Sequence, residues 1–152
     1  MKLAELLENS REEIVSAATD ALTRAHLQHY ESAGEEVNRR HLFRLYDLTV
    51  ECVRQLSLID MIKYSHEVAA ERFRDGFDLQ EVQTAYNVLE EVIWKRITTD
   101  LFPTDYPEAF GMTSTVLGAG KQALAVEYVA LASHKRQSMY LTALFKGVSK
   151  LN

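Results

Sequence analysis

A single cysteine, Cys52, occurs in 152 residues, so the chain can build neither an internal disulfide nor a cysteine-based zinc site, and one free thiol suits a reducing compartment. Only two prolines, Pro103 and Pro107, and six glycines are present, which leaves long stretches free of helix breakers. Basic residues are scarce and scattered: 17 Lys plus Arg stand against 22 Asp plus Glu, for a net charge of −5. That balance disfavours a phosphate-backbone footprint, so no nucleic-acid partner is expected. No apolar run approaches the roughly 18 residues of a membrane span, and the opening Met1-Lys2-Leu3-Ala4-Glu5 is charged early. No membrane partner is expected, and the location is read as cytoplasmic. Strand-type alternation is missing as well. What remains is 47% hydrophobic residues, enough for one folded domain over residues 1–152 without a disulfide or structural metal.

Helical periodicity fills most of the chain. Ser10 with Glu13 three residues on reads as a capping box opening a helix to about Tyr30, with Ile14, Ala18, Ala21, Leu22, Ala25 and His29 along one face. Leu42, Tyr46, Thr49, Val53 and Leu56 mark a second helix, roughly Asn38 to Leu56. Ile59, Ile62, His66, Ala69 and Phe73 mark a third, from about Leu58 to Arg74, with Gly76 as its left-handed terminator. Asp78 is the cap of a fourth, paired with Glu81, whose buried face is Leu79, Val82, Tyr86, Leu89, Ile93 and Ile97. The two prolines predict a break. Beyond them, residues from about 108 to 148 form a very long apolar-rich helical stretch with an optional interruption at Gly118 and Gly120. The reading is therefore all-α: a bundle of about five to six helices with a long C-terminal helix.

The segment Ala70-Glu71-Arg72-Phe73-Arg74-Asp75-Gly76-Phe77-Asp78-Leu79, leading into Val82, Ala85-Tyr86, Leu89 and Ile93, resembles the N-terminal sensor domains of the RsbR type, found in bacterial stressosome proteins and at the front of some sensor kinases. The opening Leu6-Leu7-Glu8-Asn9-Ser10-Arg11-Glu12-Glu13-Ile14-Val15 is similar to that family's leader. The resemblance implies a globin-like fold without haem that dimerises through its last helices and passes a signal to a downstream domain or protein. It implies no chemistry of its own, so the chain is read as a non-enzymatic stress-response input domain with no cofactor.

Tyr46, His66, Tyr86 and Trp94 are candidates for lining a ligand pocket, because aromatic and imidazole groups join apolar area to a polar tip. His66 also carries the alternative function, a haem- or tetrapyrrole-binding globin-like sensor in which its ring ligates iron. His66-Glu67 lacks the rest of a phosphoacceptor box, and Gly118-Ala119-Gly120-Lys121 fails the phosphate-loop spacing. His26, His29 and His41 with Glu31, Glu35 and Glu36 make no converging metal set by spacing alone, so no metal is assigned. Leu141, Leu144, Phe145 and Val148 continue the apolar pattern where a core of this size is already full, and they are the candidate surface of a homodimer. Gly76, between two helices, is expected to tolerate substitution less well than Gly34.

Overall fold

The computed structural model describes residues 2–151, with side chains described as far as Gly147; the side chain of Val148 lies outside the described residues. Seven α-helices follow one another: α1 (Leu3–Asn9), α2 (Arg11–Arg24), α3 (Gln28–Ala33), α4 (Glu35–Gln55), α5 (Ile59–Arg74), α6 (Leu79–Asp100) and, after a 3-10 turn at Pro103–Asp105, α7 (Tyr106–Leu151). No strand occurs among the described residues. The fold is all-α with a long C-terminal helix, and the helix count exceeds the five to six expected because α1 precedes the first predicted segment and that segment divides into α2 and α3.

That division has a local cause. His26 takes a positive φ of 51°, turning the chain between α2 and α3 with neither glycine nor proline to announce it. Ser10 also departs from expectation: its backbone, at φ −114° and ψ 16°, carries the chain almost directly from α1 into α2, and its side chain makes no capping bond. The Asp78–Glu81 capping box does form, with the Asp78 N–H donating to Glu81 Oε1 at 3.0 Å. Gly34 and Gly76 both have positive φ, 91° and 87°, so the two sites are alike in needing glycine.

The buried apolar side chains form one cluster, drawn from every α-helix. Within α4, Leu42, Tyr46, Thr49 and Val53 point inward as predicted, whereas Leu56 is 80% exposed in a left-handed cap. Along α6, Val82, Tyr86, Leu89, Ile93 and Ile97 are all buried. The inward face of α5 is corrected: Met61, Ser65, Val68, Ala69 and Arg72 are buried, while Ile59 and Ile62 lie on the outside. The helix is rotated from the predicted stripe because Ser65 and Arg72 both find polar partners inside.

Helix α7 runs without a break through Gly118 and Gly120. Gly120 allows the close packing: a Cβ there would meet Tyr86 Cε2 at 2.6 Å and both Met61 Sδ and Ser65 Oγ at 2.9 Å. The last buried side chain on α7 is Tyr128, and beyond Leu131 every described side chain is exposed. About 20 residues, or about 30 Å at 1.5 Å per residue, thus extend past the packed part of the helix. No helix among the described residues is long and apolar enough to cross a membrane.

Candidate functional site

Arg72 is the point from which a site can be built. It occupies the inward face of α5, one helical turn after Val68 and Ala69, and only 6% of it is exposed. A buried guanidinium needs partners on each of its edges. Its Nη1 donates to Glu71 Oε1 at 2.9 Å and its Nη2 to His41 Nδ1 at 2.8 Å, while its carbon centre lies 5.5 Å from the centroid of the Phe77 ring. Nε has no partner among the described residues.

Arg72 lines a small internal cavity of about 20 Å³, shared with Tyr30, Asn38, His41, Tyr64 and Tyr86 and floored by aliphatic side chains of α4, α5 and α6. Asn38, 5% exposed, donates through Nδ2 to the Tyr30 carbonyl at 2.8 Å, and its Oδ1 is the second buried polar atom left without a partner. The Tyr86 hydroxyl pairs with Ser65 Oγ at 2.8 Å. Burial raises the pKa of Tyr30, Tyr64 and Tyr86 above the usual phenol value, so all three stay neutral at physiological pH. Burial, reinforced by the Arg72 charge, lowers the pKa of His41, which keeps its Nδ1 free to accept from the guanidinium.

The wall behind Arg72 is tied to α7. Phe77, in the turn after Gly76, packs tilted against His29 and edge-on to Tyr30, at centroid distances of 4.9 and 5.1 Å. Its carbonyl accepts from the Tyr128 hydroxyl at 2.9 Å, and Tyr128 packs edge-on to Phe73 at 5.5 Å. Beside it His29 grips Glu81 twice, through its backbone N–H at 3.1 Å and its Nδ1 at 2.7 Å. Burial alone would raise the Glu81 pKa, but hydrogen bonds from the Asp78 and His29 backbones and the His29 ring bring it below the usual carboxylate value.

The four pocket candidates do not converge. Tyr86 lines the cavity. Tyr46 is fully buried elsewhere in the core, with its hydroxyl donating to the Leu7 carbonyl. Trp94 is 42% exposed and lies against Phe110, 4.8 Å between centroids, beside an open groove on α6. His66 sits on the outer side of α5, its Nδ1 3.1 Å from Glu127 Oε2 on α7. The His66 ring, paired with Glu127, lines neither the cavity at Arg72 nor the clefts at Cys52 and at Trp94, so these residues do not place it as a haem ligand. His26, His29 and His41 go to three different partners: Glu31, Glu81 and Arg72.

Among the dimer candidates, Leu141, Leu144 and Phe145 are 44%, 52% and 69% exposed on the extended part of α7, with Met139 and Tyr140 beside them. As parts of one cavity, Arg72, His41, Tyr30 and Asn38 carry no mark in the sequence, where His41 stands out only beside His26 and His29. Charged and amide residues on an amphipathic helix read as solvated, and only the position of Arg72 in phase with Ser65 and Ala69 signals that it turns inward.

In comparison with known proteins, residues 11–130 match the family described as the RsbT co-antagonist protein rsbRD N-terminal domain. No curated protein and no solved structure matches the chain.

Proposed function

Since the chain belongs to the rsbRD N-terminal domain family, a family of sensory and signalling input domains, we propose that it acts as a dimeric, globin-like and non-enzymatic input domain that passes an internal event outward along α7. The observation that carries this reading is the two-part character of α7. Up to Tyr128 it is packed into the core; beyond Leu131 it presents Met139, Tyr140, Leu141, Leu144 and Phe145 to solvent, an apolar surface of the kind that marks a protein–protein contact. A second copy related by a two-fold axis covers the same residues on both partners, and the paired helix ends lead to an output domain or partner protein.

A route for the signal is supported by the contacts. Arg72 and Tyr30 line the cavity, Phe77 packs on both, and Tyr128 holds the Phe77 carbonyl at the last buried position of α7. A change at the cavity would bias the angle at which α7 leaves the core, provided that two packings of these helices differ by no more than a few kcal/mol.

Sedimentation at micromolar concentration tests the proposal. The intact chain is expected to run as a dimer and a truncation after Ser133 as a folded monomer. A monomeric intact chain would remove both the dimer and its route.

A further inference from the structure

We propose that the cavity at Arg72 is a binding site for the head of a small neutral molecule that offers one hydrogen-bond acceptor and one donor side by side, as a primary carboxamide does. Two side chains more than nine-tenths buried line this cavity, and each leaves one polar atom unpartnered: Arg72 Nε, a donor, and Asn38 Oδ1, an acceptor. Such atoms are rarely left unsatisfied in a folded interior, because each costs its full desolvation. Their chemistry specifies the occupant. An acceptor-only group such as a carboxylate answers Arg72 and meets the Asn38 oxygen with repulsion; a donor-only ammonium answers Asn38 and meets a guanidinium. A group with both roles answers both. The amide of Asn38 is held in this sense by its Nδ2 bond to the Tyr30 carbonyl, so rotation does not rescue the anion.

The other charges reinforce the choice of a neutral ligand. The Arg72 cation already has the Glu71 carboxylate on Nη1, and neutral His41 on Nη2. The remaining walls, including Leu42, Leu45 and Val68, are aliphatic. About 20 Å³ admits a head group of little more than water size, and His41 and Tyr64, both only half-buried, form the side from which a larger molecule would extend. That the site is the input of the signalling device rests on the function proposed above; the binding does not, and dimerisation is read by a separate experiment.

Formamide and formate share one small frame and differ in the property at issue, since formamide carries an acceptor and a donor and formate carries acceptors alone. Each is titrated into the full isotope-labelled chain at constant ionic strength, following the side-chain Nε–H signal of Arg72 assigned through its own backbone. Formamide is expected to shift this signal saturably, formate to leave it in place, and Asn38→Leu to lose the formamide response. The wild-type titrations decide the matter even if Asn38→Leu fails to fold. No saturable response to either probe would overturn the proposal, leaving a cavity for water only. A formate response at equal or lower concentration would also overturn it, in favour of an anion site.

Discussion

Gly120 on α7 approaches Tyr86 on α6 so closely that a single added methyl group would lie 2.6 Å from the tyrosine ring. The two helices and Ser65 of α5 are thereby locked at one spacing, with the Tyr86 hydroxyl bonded to Ser65. Gly120→Ala is expected to destabilise the fold by about 1–3 kcal/mol through overpacking. Gly118, with nothing within 4 Å of an added Cβ, is the control: Gly118→Ala is expected to stabilise α7 by about 0.5–1 kcal/mol. Urea denaturation of the two variants measures both signs.

Gly34 is predicted to be at least as intolerant as Gly76, replacing the order expected from sequence. Each has φ near +90°, and Gly34 joins it to ψ 157°, a region nearly confined to glycine. Alanine at either site should cost about 1–2 kcal/mol from backbone strain alone, since neither added Cβ would meet an atom closer than 3.5 Å. Thermal melts of the two variants side by side check this; an unchanged Gly34→Ala would show that the α3–α4 connection relaxes.

The caps of α2 and α6 should separate cleanly. Asp78→Ala removes one side of a formed capping box and is expected to cost about 0.5–2 kcal/mol. Ser10→Ala should cost less, because the Ser10 hydroxyl caps nothing. Equal losses in denaturant midpoint would contradict the geometry at Ser10.

Acidification should weaken the fold in two stages. The lowered pKa of His41 means that the unfolded chain takes up its proton first as pH falls through the ordinary histidine value of 6.5, and stability drops until the folded-state value is passed. Glu81 has the opposite chemistry and the same consequence: its lowered pKa contributes stability above the ordinary value of 4.5, which is lost as pH falls through the folded-state value. His41→Gln should flatten the first stage and leave the second, read from unfolding free energies between pH 7.5 and 4.

The parts of this architecture legible in the sequence are those in which one physical rule acts alone. The α6 face is a plain helical stripe, Asp78 and Glu81 are a spaced pair, and the αL glycine at 76 stands between two such helices. The rule fails where polar groups turn inward. Counting Ile59 and Ile62 as core set α5 in the wrong rotation, because the helix instead buries Ser65 against the Tyr86 hydroxyl and Arg72 against His41. Those pairings join residues 21 and 31 positions apart, and no local pattern encodes them. The α2–α3 break turns on one histidine at positive φ, a conformation that its neighbours in sequence do not signal. The cavity was illegible for the same reason: its two unpartnered atoms belong to Asn38 and Arg72, residue types that read as solvated until the fold encloses them.

Pairing of two copies through the extended part of α7 can be read by disulfide trapping. Cys52 is buried, so a cysteine introduced at Leu144 is the only accessible thiol among the described residues. A parallel two-fold pair with Leu144 on its seam would bring the two Leu144 Cα atoms near the separation of about 4.4–6.8 Å that a disulfide requires. Lys135, whose ammonium lies 5.9 Å from the Phe73 ring of its own domain, marks a side turned away from that contact. Mild oxidation at micromolar protein should convert Leu144→Cys to a covalent dimer and leave Lys135→Cys uncrosslinked. A Leu144→Cys protein that stays monomeric, or crosslinks no faster than Lys135→Cys, would rule out pairing through this part of α7.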